Sequence, residues 1–270
     1  MDALFFRAAL VIYLAGTAGF TASLLLKRVA LARLSTWVFA AAFALHTVFI
    51  GLRWWGSGYS PAVNLSEALS FIGWAIAAVY FLFQALTKTR VLGAFVAPLS
   101  LVMVIASSAG IMGPSPAGQD LKTCWVTVHV IFSLTGSALF ALACCAALMY
   151  LIQDGLIRRR KIHELYRVLP SLGDLDRINH LSVLWGFLLL TLGIIAGSVW
   201  ARTAWGSHLP WDPKQIATLA AWFLCGVLLH QRLVIGWKGR RAAFLSMGAF
   251  AILLFAFVGV NLFFTTIHTF

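Results

Sequence analysis

Residues 124–152 read CWVTVHVIFSLTGSALFALACCAALMYLI, a run without one Asp, Glu, Lys or Arg. A helix crosses a hydrocarbon layer about 30 Å thick with roughly 20 apolar residues. A core helix of a soluble domain keeps one polar face, and this stretch has none. It reads as a membrane span. Seven further stretches meet the same criterion: Leu4–Leu26, Leu34–Leu52, Leu65–Leu86, Val91–Met112, His180–Trp200, Gln215–Ile235 and Ala242–Phe264. The longest segments between spans, 153–179 and 201–214, are too short to bury a core of their own. The expected fold is therefore all-α, a polytopic transmembrane helical bundle of about eight spans forming one domain over residues 1–270. The residues after Met1-Asp2 lack the charged start of a cleaved signal peptide and run too long for one, so they read as the first span.

Composition agrees. Of the chain, 61% is hydrophobic and 10% charged, too little polar surface to solvate a globular domain of 270 residues. The net charge of +12 would suggest a nucleic-acid partner in a soluble protein. Fifteen of the twenty basic residues, however, fall in alternate loops: Lys27 to Arg33, Lys88 and Arg90, Arg158 to Arg177, and Arg232 to Arg241. Topology accounts for that pattern and nucleic acid does not. Basic loops stay on the cytoplasmic side, which places both termini on the outer side, with the segments 56–64, 113–122 and 201–214. Asn64 with Glu67, and Asp212 with Gln215, have the spacing of an N-cap and its third helical residue, and Pro213 suits a first helical position. The four cysteines form no CxxC pair, and three lie in apolar segments as small hydrophobes. No CxxCH occurs, so any haem here is not attached in the manner of c-type cytochromes.

Ionisable groups at membrane depth are functional candidates because lipid solvates them poorly. His129 lies five residues into its span, about 8 Å deep at 1.5 Å per residue, and His268 follows the last span on the same side. Two imidazoles from different helices at similar depth suit the two axial positions of one haem iron. Between them in sequence comes Trp200-Ala201-Arg202-Thr203-Ala204-Trp205-Gly206-Ser207-His208-Leu209-Pro210-Trp211-Asp212-Pro213-Lys214. Trp200, Trp205 and Trp211 offer aromatic faces for a flat macrocycle, and Arg202, Lys214 or Arg53 offer cations for its propionates. An interfacial aromatic belt is the competing reading. His230 lies toward the inner half of the seventh span and His46 in the second. On one iron their depths would differ by about 12 Å, and each also suits a hydrogen bond to a neighbouring helix. His163 and His180 read as solvated and structural, and His208 falls inside the Trp loop. A b-type cytochrome would favour histidines at matched depths on facing helices.

The segment Trp205-Gly206-Ser207-His208-Leu209-Pro210-Trp211-Asp212 resembles the WGxxWxWD signature of the CcsA/ResC family, the haem-handling subunit of the system II cytochrome c synthase. It departs at Leu209, usually Trp, and at Gln215, commonly Glu. The likeness continues through Arg53-Trp54 to Glu67, Leu121 to Val130, Leu175 to Ala201, Leu229 to Arg232 and Gly259 to His268, most of residues 45–270. Asn179-His180 stands where a Tyr is usual. The resemblance implies non-covalent haem b on His129 and His268 over the Trp-rich segment, with Asp212 part of the motif. It implies His230 as one ligand of a second haem, with His46 a weaker candidate for its partner. It further implies a holocytochrome c synthase complex in a bacterial inner membrane. The partners would be apocytochrome c, a CcsB/ResB-like subunit and a thioredoxin-like thiol reductant. A system I haem-handling subunit of an ABC exporter is the related alternative, with about six spans.

Overall fold

The chain is described by a computed structural model that covers residues 2–58, 60, 62, 64–87, 89–110, 123–160, 169–207 and 212–263. Within them the regular elements are helices: α1 (Asp2–Leu25), α2 (Val29–Ser57), α3 (Leu65–Thr87), α4 (Gly93–Ser108), α5 (Cys124–Arg158), α6 (Leu172–Trp205), α7 (Pro213–His230) and α8 (Arg240–Leu254). A 3₁₀ turn over Arg90–Leu92 leads into α4. One π-helical turn, Gln231–Ile235, extends α7; another, Phe255–Gly259, extends α8 into a last turn, Val260–Phe263. All eight of these helices, with their extensions, are long and apolar enough to cross a membrane.

The helix starts follow local chemistry. Asn64 Oδ1 accepts the Glu67 N–H at 2.8 Å, as the sequence spacing predicts. Asp212 caps α7 by accepting from the Lys214 N–H at 3.2 Å, and Pro213 occupies the first turn. Thr123 caps α5, and Ser171 caps α6 by accepting the Asp174 N–H at 3.1 Å.

Both ends of α6 differ from the sequence expectation. Helix α6 begins at Leu172 rather than His180, because its first turns are amphipathic. Leu175 and Ile178 are buried while Asp174 and Arg177 are exposed, so a charged segment continues the helix past its apolar stretch. Its far end passes Trp200 and stops at Trp205. Nothing before Gly206 interrupts it, and Gly206 ends it in the left-handed region, φ 73°, donating its N–H to the Arg202 carbonyl. Trp200, Arg202 and Trp205 are therefore helical and not part of a loop.

The helices pack as two halves joined through α5. In the first, α1 lies along α2 and α3 along α4, with α1 also against α4. Its centre is aromatic: Tyr13, Phe20, Phe39 and Tyr80 meet edge to face with ring centroids 5.0–6.1 Å apart. At the end near Asn64, the buried Arg53 holds Glu67 through two N–H groups, at 3.1 and 2.9 Å, and reaches Asp2 at 3.4 Å. In the second half α5 packs along α6 and α8, and α7 along α8. Asn179 ties these helices together. Its amide donates to the Ala143 carbonyl at 2.9 Å and to Ser246 at 2.7 Å, and its oxygen accepts from Arg232 at 2.9 Å. Helix α5 meets α3 as well, which makes its 35 residues, about 52 Å of helix, the seam between the halves.

Candidate functional site: the histidine end of α5 and α6

His129 sits on the second turn of α5, and its surroundings come mainly from α6. The two helices approach along a ladder of small residues. Gly186, Gly193 and Gly197 recur at spacings of seven and four, one face of a helix. Opposite them, running the other way, stand Gly136, Ser133 and His129. A Cβ on Gly186 would meet the Gly136 carbonyl at 3.3 Å, and one on Gly193 would strike Ser133. On Gly197 it would come within 2.5 Å of His129 Nδ1 and 2.8 Å of Cε1. The missing side chain at 197 is what lets the imidazole lie against α6.

That approach sets the ring's chemistry. Nδ1 is 2.7 Å from the Gly193 carbonyl, which only accepts, so Nδ1 carries the proton. Ser133 Oγ stands 3.5 Å from the same nitrogen. The tautomer leaves Nε2 with its lone pair, and Nε2 makes no hydrogen bond among the described residues. A neutral imidazole oriented by a backbone carbonyl and open at Nε2 is the usual state of a histidine that ligates a metal. The residues here fit an axial ligand to haem iron.

Around it, Trp200 is half-buried and Arg202 exposed on the last turns of α6. Asp212 is 5% exposed, and its carboxylate caps α7, so it shapes the start of the helix after the Trp-rich segment. Lys214 is the second residue of α7, its Nζ 5.9 Å from the centroid of the Phe257 ring on the π turn that extends α8. Trp222 anchors α7 to α6, stacking on Phe187 at 5.4 Å and donating to Thr191 Oγ1 at 2.8 Å. His268, His208, Leu209 and Trp211 lie outside the described residues.

The other two candidate histidines are placed differently. His46 is fully enclosed. Its Nε2 is 2.9 Å from Ser70 Oγ, and Phe6, Tyr13 and Phe49 surround the ring at centroid distances of 5.7–6.0 Å. No face of it is open to a macrocycle. His230 ends α7 and is exposed, pointing away from this chain's own core just before the π turn. Arg53, offered by the sequence as a propionate partner, is turned inward onto Glu67 and Asp2.

The sequence expectation does not include the glycine and serine ladder. The signal was present, since Gly186, Gly193 and Gly197 share a face, but a stripe of small residues identifies no partner until the facing helix is known.

Residues 62–268 match the family described as Cytochrome C assembly protein. Among curated relatives, the Cytochrome c biogenesis protein CcsA of Guillardia theta is 32% identical over 248 residues, covering 83% of this chain and 81% of that one. The CcsA of a Synechococcus species is 30% identical over 270 residues, 88% of each. That of a Synechocystis species is 28% identical over 279 residues, covering 83% and 84%.

Proposed function

This chain belongs to the cytochrome c assembly protein family, and from that premise we propose that it holds non-covalent haem b at the His129 end of the bundle and presents it to apocytochrome c. Family membership supports a role in cytochrome c maturation, and so contact with apocytochrome c and other assembly components. The observation that carries the finer reading is the His129–Gly193 hydrogen bond, which leaves Nε2 as a ready axial ligand.

In this reading His129 and His268 would hold the haem iron, and Trp200, Trp205 and Trp211 would supply aromatic faces to its ring. Arg202 is placed for a propionate. When bound, haem supplies the vinyl groups to which the two thiols of an apocytochrome CxxCH add, and a ferrous iron is needed for that attachment. The chain's own contribution is positioning. The Gly193 carbonyl fixes the His129 tautomer and plane, Gly197 provides the space, and the capped start of α7 anchors the far end of the Trp-rich segment. Two reactants held in register then need no acid or base from the protein. The site faces outward from a bacterial inner membrane, as the basic loops at the opposite end imply.

His230 is proposed as a ligand of a second haem, its other ligand coming from a CcsB/ResB-like subunit; its outward exposure supports a shared site. A thioredoxin-like reductant would keep the apocytochrome thiols reduced. The enclosure of His46 by Ser70 and three aromatic rings argues against its being that second ligand, and against a b-type cytochrome built on His46 and His230.

The test is the absorption spectrum of purified chain, with and without its partner subunit. The expected result is a bis-histidine haem spectrum that weakens in His129→Gly and recovers on adding imidazole. An unchanged spectrum and normal cytochrome c maturation in that variant would refute the assignment.

A further inference from the structure

The opposite end of the second half carries a groove of about 520 Å³, within the usual range for small-molecule sites. It lies between the last turns of α5 and the segment joining α7 to α8. Tyr150, Arg158, Trp237, Lys238, Arg240 and Arg241 line it. Arg158 lies 29 positions beyond His129 on the same helix, about 43 Å away along its axis, so the groove is remote from the haem site.

Its charge is poorly balanced. Arg158 and Arg240 share one oxygen of Asp154, at 2.8 and 3.2 Å. The other nearby acid, Asp176, is committed elsewhere: one oxygen accepts from Arg232 at 2.7 Å, the other from the Gly239 N–H at 3.0 Å. Four lining cations thus face a single shared carboxylate among the described residues. Arg241 lies over the Trp237 ring at 5.5 Å, and both Lys238 and Arg241 are exposed. Tyr150 makes no hydrogen bond among the described residues. Its hydroxyl would be 2.6 Å from a Cβ on Gly239, whose φ of 70° and bare Cα admit the phenol to the groove.

Beside these cations the π turn of α7 presents Leu233, Val234 and Ile235, each more than 60% exposed. A polar anion site continuous with an exposed apolar strip, at the end of a transmembrane bundle, matches a molecule with an anionic head and hydrocarbon tails. We propose that this groove binds the phosphate headgroup of an anionic phospholipid. Arg158, Lys238, Arg240 and Arg241 surround the phosphate, Tyr150 donates to it, and the acyl chains lie along Leu233–Ile235. Inorganic phosphate shares the headgroup's chemistry without the tails, and it separates the two sources.

The experiment is native mass spectrometry of the full chain in detergent, titrated in parallel with dioctanoyl-phosphatidylglycerol, dioctanoyl-phosphatidylcholine and inorganic phosphate. Phosphatidylglycerol should be retained at least tenfold more than phosphatidylcholine. Each of Lys238→Gln and Arg241→Gln should lower its affinity about fivefold, the usual effect of one cation near an anionic headgroup. Both substitutions are at exposed positions outside the Asp154 and Asp176 ion pairs, and an unchanged melting temperature confirms folding. Val234→Ser should weaken phosphatidylglycerol and leave any phosphate binding alone. Equal retention of the two lipids, indifference to both charge substitutions, or phosphate binding as tightly as the lipid would each overturn the proposal.

Discussion

His46 and His129 look alike in sequence, each a lone histidine in an apolar helix within one or two turns of the same end of the bundle. The two halves that hold them treat the ring in opposite ways. In the aromatic half, α1–α4, His46 faces a neighbour's hydroxyl through Nε2 and is closed in by Phe6, Tyr13 and Phe49. In the glycine-lined half, α5–α8, His129 donates through Nδ1 to a backbone carbonyl that glycines bring close, and Nε2 makes no hydrogen bond among the described residues. Large rings fill space, so they turn an intramembrane histidine into a packing element. Glycines bring backbone to the ring, and a carbonyl can only accept. Which nitrogen is bonded therefore follows from what the facing helix offers, the Ser70 hydroxyl for His46 and the Gly193 carbonyl for His129.

The largest effect should come from His129→Ala, which removes the proposed haem ligand: haem absorbance of the purified chain and cytochrome c maturation should both be lost. His46→Phe, by contrast, should retain both, and loss of haem there would erase the distinction between the halves. Next in size, Arg53→Met removes the guanidinium that donates twice to one oxygen of the buried Glu67 and should destabilise the first half by about 3–5 kcal/mol. Unfolding in a denaturing detergent series measures it, and haem content per folded molecule should not change. Gly197→Ala puts a methyl against the His129 ring and should weaken haem retention about tenfold, as for other groups that orient metal ligands. Titration of the purified apoprotein with hemin reads that out, and wild-type affinity would mean that the ring tolerates displacement. The smallest effect is expected for Ser70→Ala, which deprives His46 Nε2 of its hydroxyl and should cost about 1–3 kcal/mol of stability with an unaltered haem spectrum.

Much of this architecture is legible in the chain, for local reasons. Asn64, Asp212 and Pro213 mark helix starts because capping needs only a residue and the next turn. The amphipathic start of α6 was equally local, in Ser171 and the alternation of Leu175 and Ile178 with Asp174 and Arg177, yet it was hidden by reading hydropathy for spans alone. The end of α6 at Gly206 is local too, since a glycine in the left-handed region closes the helix. For the proposed site, depth and residue type single out His129 in the sequence. Gly193, Gly197 and Ser133 are not singled out, because their role exists only against the helix they face.

By itself, then, the sequence determined the number of spans, most helix starts and the candidate ligand His129, since hydropathy and capping act over a few turns of one helix. Only the tertiary structure decided that His129 bonds through Nδ1, that His46 bonds through Nε2, and that Arg53 turns inward to Glu67. Each of those depends on an atom contributed by another helix, and no pattern within a single span specifies which neighbour will bring it.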